Sequence, residues 1–239
     1  ASGLNISKLI LSDLPFSPMN YESENEVKKF PYSLPNYRVE NQHFILDTME
    51  GDLELKVFGA HNMSNLEGAR WICNQMGLTD EEFYEAIEEF EGASKRLEKL
   101  DIPVNYQIYR DFAHAPSKVK ASVSGTKDTF ADKKLVAVFE LHTFSSLNID
   151  FIGQYQSSLD KADEAIVYFN PKVLEHKKLP PLSAKAVQNA FANPQIKVIT
   201  ERADLINSVK ALGASADVLL LMSSGNFDAI NWPEELIKG

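Results

Sequence analysis

Two clusters of polar side chains have the types and spacing that nucleotide chemistry needs. The first, Phe58-Gly59-Ala60-His61-Asn62-Met63-Ser64-Asn65, sets a His-Asn-x-x-Asn frame where a β-rich stretch passes into a helix. Asparagine amides donate and accept at once, as reading an adenine edge demands. One asparagine there could simply cap the helix, but two with a histidine exceed what capping requires. The second, Asp111-Phe112-Ala113-His114-Ala115-Pro116-Ser117-Lys118, repeats the strand-to-helix logic. Asp111 closes a strand, a position suited to accepting ribose hydroxyls and equally to facing a helix dipole. His114 and Lys118 stand near the same helix start, where anions are welcome; a solvated lysine is the ordinary alternative for Lys118. Gly-Lys-Ser/Thr, the end of a phosphate-gripping P-loop, occurs nowhere in the 239 residues. The chain is therefore expected to be part of an enzyme, with the remainder of its own polypeptide as a partner.

Other candidates come from strand ends, where open parallel sheets bind ligands. The residues just past the strands are Arg110-Asp111, His142-Thr143, Asn170 and Ser223-Ser224-Gly225-Asn226. The last is a small-residue turn that could admit a carboxylate or peptide to backbone amides, or serve as a plain tight turn. Arg96 could clamp phosphate oxygens bidentately; a surface ion pair with Glu98 or Glu91 is the alternative. The five histidines show no His-x-x-x-His spacing, so no metal site is expected. Glu81, Glu82, Glu85, Glu88 and Glu89 read as a solvated helix face.

The elements that must position these groups fall into two parts. Residues 44–48 and 53–57 flank Glu50-Gly51-Asp52 and read as a hairpin, while Tyr32-Ser33-Leu34-Pro35 is extended or turn-like. Leu66, Ala69, Ile72, Cys73 and Met76 share one helical face, ended by Gly77. Thr79-x-x-Glu82 is a capping box for a second helix, with Phe83, Ala86, Ile87 and Phe90 as its apolar face. Ile102-Pro103 marks the expected boundary, giving parts at 1–101 and 102–239. The first part holds too few apolar residues at its start to complete a core alone. Beyond it, strands (104–109, 135–141, 165–169, 196–200, 218–222) alternate with helices (116–130, 147–159, 183–191, 204–212). That pattern predicts an α/β class: an open, mostly parallel, doubly wound sheet with flanking helices.

Composition narrows the function classes. A net charge of −10 argues against nucleic acid as a partner, since such proteins usually carry a basic face. No apolar run approaches the ~20 residues needed to span a bilayer, so no membrane is expected. Ala1 to Asn5 lacks the basic start of a secretory signal, and the single Cys73 allows no internal disulfide. A cytoplasmic location is the expectation.

Gly59 to Asn65, Phe90-Glu91-Gly92-Ala93-Ser94-Lys95-Arg96-Leu97-Glu98, Asp111 to Pro116 and Met222-Ser223-Ser224-Gly225-Asn226-Phe227 occur in an order that resembles the Mur ligase family. The resemblance covers roughly residues 44–230. It implies an ATP- and Mg2+-dependent ligase that joins an amino acid or peptide to UDP-N-acetylmuramate in peptidoglycan metabolism, through an acyl phosphate. The favoured acceptor is L-alanyl-γ-D-glutamyl-meso-diaminopimelate, with L-alanine as the alternative. The first part would be the end of a central ATP-binding domain without its P-loop, and the second a C-terminal Rossmann-like domain. Asn62 and Asn65 would help hold the adenine, Arg96 would face the ATP phosphates and Asp111 would hold the ribose, with His61 and His114 as further cofactor-binding residues. His142 and Ser223, Ser224, Gly225 and Asn226 would face the acceptor. Ala115 stands where a second histidine is usual, and Thr143 and Ser146 replace arginines, which bears on the acceptor more than on ATP. The runner-up from another class is a non-catalytic α/β binding module; a folate polyglutamate synthetase fits less well.

Overall fold

The computed structural model describes residues 29–238. The reading of Ala1 to Asn5 lies outside the described residues. Two compact units divide between Glu91 and Gly92, earlier than Ile102-Pro103. The boundary moves because Glu98–Leu100 is a short strand paired antiparallel with the next one, which ties it to the second sheet. Pro103 instead lies in the bend between those two strands.

In the first unit, β1 (Tyr37–Glu40), β2 (His43–Thr48) and β3 (Gly51–Leu55) form an antiparallel sheet. The expected hairpin is β2–β3, with Gly51 at φ 125 letting the chain reverse. β1 was not anticipated. α1 (Ala60–Gln75) and α2 (Asp80–Glu88) come next. Gly59 precedes α1 at φ 92, so a glycine rather than a side-chain cap starts that helix. Thr79 and Glu82 close the capping box expected of α2. Phe44, Leu46, Leu55, Met63, Leu66 and Phe83 are buried. The face predicted for α1 is only partly covered, since Ile72 is 50% and Met76 58% exposed. Ala86 of α2 is exposed as well.

The second unit is a six-stranded sheet in the order β4-β5-β9-β6-β7-β8. Its strands are β4 (Glu98–Leu100), β5 (Gln107–Asp111), β6 (Leu135–Glu140), β7 (Glu164–Tyr168), β8 (Lys197–Ile199) and β9 (Val218–Met222). All pairings but β4–β5 are parallel. β5 begins later than the 104–109 reading and ends on Asp111. α3 (Pro116–Thr129), α6 (Ala184–Phe191) and α7 (Arg202–Gly213) fall where expected, α3 with proline in its first turn. The helix predicted over 147–159 is cut down to α4 (Ile149–Ile152) and one 3-10 turn, Gly153–Tyr155. Tyr155 explains the break: it turns inward between Phe139 and Phe191, with ring centroids 5.2 and 5.6 Å away. α5 (Pro171–His176) and α8 (Trp232–Ile237) were not read from the sequence.

The central strands β6 and β9 are buried on both faces, which is why their apolar residues run without alternation. Val136, Val138, Leu219 and Leu221 join Leu205 and Val209 of α7 and Trp232 of α8 in one core. Phe139, on the other face, meets Tyr155. β9, which follows both its neighbours in sequence, lies between β5 and β6, so three carboxyl ends meet at one edge.

Candidate functional site

That edge carries the polar groups. Asp111 ends β5 and is 7% exposed. Its Oδ2 accepts the hydroxyl of Ser122 on α3, and its carbonyl accepts the Ser223 amide at 3.0 Å. A cavity of about 140 Å³ brings Asp111 together with Ser223, Gly225 and Asn226. Lys95, Arg110 and Trp232 line the same cavity. Leu221, Phe227 and Ile230 supply apolar lining. Lysine, arginine and a carboxylate at one mouth suit a ligand with charges of both signs, as amino acids and peptides have. Nε of Arg110 and Nε1 of Trp232 are buried without a hydrogen-bond partner among the described residues.

Glu140 is the residue that sequence reasoning missed. It ends β6, is 3% exposed, and accepts from the Ser223 hydroxyl and from the Phe227 amide at 2.9 Å. A buried carboxylate is costly unless its oxygens are hydrogen-bonded. One acid inside the apolar run 135–141 was the available signal. His142 lies next to it, with Nδ1 3.8 Å from Glu140 Oε1 and its side chain 36% exposed. A Cβ on Gly225 would stand 2.7 Å from His142 Cγ, so the loop backbone lies directly on that ring. Ser224 is half-buried, and its Oγ has no partner among the described residues.

The other predicted residues are placed less tightly. Arg96 is exposed, and neither expected ion pair forms: Glu98 takes Arg110 at 2.9 Å and Glu91 stands 4.0 Å from Lys56. The Arg110 hydrogen bond, reinforced by the Lys95 amide, holds the Glu98 carboxyl below its usual range. His114 Nδ1 is 2.9 Å from the Phe112 carbonyl, and the His114 carbonyl accepts the Tyr155 hydroxyl. Burial pushes that hydroxyl up to about 12. Lys118 is exposed. His61, Asn62 and Asn65 lie in the first two turns of α1, in the first unit. Asn62 donates to the Phe58 carbonyl at 2.8 Å, tying the helix to its entry loop, and Asn65 is exposed. No group of three or more His, Cys, Asp or Glu able to hold a metal occurs among the described residues. No helix among them is long and apolar enough to cross a membrane.

Residues 95–225 match the family model described as "Mur ligase, glutamate ligase domain". The chain belongs to the Mur ligase family. The matched segment runs from the loop before β4 to the loop after β9, so it contains the whole carboxyl edge of the sheet. A UDP-N-acetylmuramate–L-alanine ligase of Paenarthrobacter aurescens is 28% identical over 177 residues, 74% of this chain and 38% of the relative. The chain spans 26–40% of the length of such relatives. Two solved Mur ligases share the fold. A UDP-N-acetylmuramate–alanine ligase of Thermotoga maritima superposes with a TM-score of 0.66 at 19% identity, over 88% of this chain and 47% of that one. A murein peptide ligase of Psychrobacter arcticus gives 0.56 at 22% identity, over 84% and 42%. The open, mostly parallel sheet expected from the strand–helix alternation is thus the Rossmann-like C-terminal fold of Mur ligases.

Proposed function

We propose that this chain is the C-terminal part of an ATP-dependent ligase that joins a peptide to UDP-N-acetylmuramate. The favoured acceptor is L-alanyl-γ-D-glutamyl-meso-diaminopimelate. In this reading the first unit closes the ATP-binding domain, the second is the C-terminal domain, and the protein works in the cytoplasm. The observation that carries it is the shared cavity of Asp111, Ser223, Gly225 and Asn226 at the carboxyl edge of the sheet, within the segment matched to the family.

ATP with Mg2+ would supply the phosphoryl group that activates the muramyl carboxylate. Asp111 suits its ribose, because Ser122 takes Oδ2 and leaves Oδ1 without a partner among the described residues. Asn62 and Asn65 would bind the adenine, and Arg96 the phosphates, where a planar cation matches oxyanions. His61 and His114 would be further cofactor-binding residues. No residue of this chain is assigned to the metal. His142 and Ser223, Ser224, Gly225 and Asn226 would orient the acceptor so that its amine meets the activated carboxyl.

L-Alanine as the acceptor is the second reading, favoured by the names of the relatives. The deciding assay gives the full-length protein ATP, UDP-N-acetylmuramate and either L-alanine or the tripeptide. Tripeptide-dependent ADP release with amide product is expected. Turnover with L-alanine alone would shift the assignment, and no product with either acceptor would end it.

A further inference from the structure

Carboxylates hold the loop after β9 from both ends. At its start Glu140 accepts from Ser223 and from the Phe227 amide, and Ser223 Oγ accepts the Gly225 amide at 2.7 Å. At its end Asp228 accepts from the Tyr168 hydroxyl and the Asn170 amide, at the end of β7. At and just past these anchors Phe227, Asp228 and Ala229 have φ of 51, 55 and 56. Three successive non-glycine residues stay left-handed only where surrounding contacts impose it. Glu140 also faces His142 at 3.8 Å, and that ring rests on Gly225.

We infer that Glu140 is a positioning residue for acceptor recognition, setting the shape of residues 223–227 and the stance of His142 without touching the acceptor. This rests on the ligase reading. Capping the end of β9 does not by itself require a carboxylate. A buried charge spanning β6 and a loop more than eighty residues later fixes one conformation among several that the loop could adopt. The groups it fixes are those assigned to the acceptor, whereas the adenine residues stand in the other unit.

The test uses full-length protein with Glu140→Gln, Ser223→Ala and the double variant. Two quantities are read: KM for acceptor and for ATP, and hydrogen exchange of the segment 223–230. Glu140→Gln should raise the acceptor KM about tenfold while the ATP KM stays within about twofold. Exchange of the segment should quicken, and the double variant should fall short of the sum of the two single effects, because both changes act on the one bond that Glu140 and Ser223 share. Unchanged exchange would show that Glu140 does not hold the loop. Faster exchange with an unchanged acceptor KM, or an equal rise for ATP, would overturn the positioning role. A wild-type protein inactive with every acceptor would defeat the ligase reading and this inference with it, while the exchange data would still report the clamp. Should Glu140→Gln fail to fold, Glu140→Asp, whose shorter side chain cannot reach both the Ser223 hydroxyl and the Phe227 amide, carries the same measurements.

Discussion

Arg110 donates to Glu98 at 2.9 Å across the antiparallel pair of β4 and β5, and this leaves Arg96 without an acidic partner among the described residues. An exposed arginine with no partner contributes little to the fold. Arg96→Ala is expected to shift stability by no more than about 0.5 kcal/mol. In the full-length protein it should lower kcat/KM by roughly a hundredfold, as losing a group that meets transition-state charge does. Thermal denaturation and steady-state kinetics on the same variant check this. Near-normal turnover would remove Arg96 from the site.

The same ion pair sets a pH dependence. The Arg110 hydrogen bond lowers the Glu98 carboxyl from its ordinary value of 4.5. A lowered folded value means that the stabilisation is complete above 4.5 and disappears as pH falls through the lower folded value. Glu98→Gln should therefore flatten the acid limb of the stability profile below about pH 4.5 and leave its slope near neutrality unchanged. Urea titrations across that range would show it. An acid limb identical to wild type would contradict the pairing.

Asp111 combines burial with a ligand role, so its substitutions should separate the two. Asp111→Ala strands the Ser122 hydroxyl inside the fold and is expected to cost about 1–3 kcal/mol as well as most of the ligation. Ser122→Ala removes only the support, and should weaken ATP use by a smaller factor with the acceptor KM unchanged. Equal losses in both variants would mean that Asp111 acts through stability alone.

Much of this architecture is local and was legible. Pro116 starts α3, Thr79 and Glu82 box α2, and Gly51 turns the hairpin; each is decided by residues within a few positions. The candidate site was half legible, because the residue after a buried parallel strand can be named from sequence, as Asp111, His142 and Ser223 were. Periodicity said which residues of α1 share a face, but not what covers them, and Ile72 and Met76 stay exposed. Lys95 and Trp232 reach the cavity through tertiary packing that no short spacing encodes. Glu140 was hidden by its neighbours, since one acid in an apolar strand does not disturb the pattern that identifies the strand.

Gly225→Ala tests the contact between loop and ring. Its new Cβ would meet His142 Cγ at 2.7 Å and Glu140 Oε2 at 2.8 Å. Either the ring or the loop must move, at a cost of about 1–3 kcal/mol typical of overpacking. The acceptor KM should rise more than the ATP KM. A variant with wild-type stability and wild-type kinetics would show that the loop is not seated as described.

The 239-residue chain alone is expected neither to bind ATP tightly nor to form product, because Gly-Lys-Ser/Thr is absent from it. Isothermal titration with ATP and Mg2+ decides this directly. A micromolar dissociation constant would require a phosphate-binding device that the sequence does not display.

The insertion of β9 between β5 and β6 also governs how the sheet can be assembled. Both neighbours are synthesised long before it, and each must wait with one edge unpaired until Val218–Met222 leaves the ribosome. Such edges invite association with other chains, and pairing this distant in sequence is slow to form. A strand made after both its neighbours is thus what joins them, and a nascent chain halted short of it would expose two adhesive edges at once.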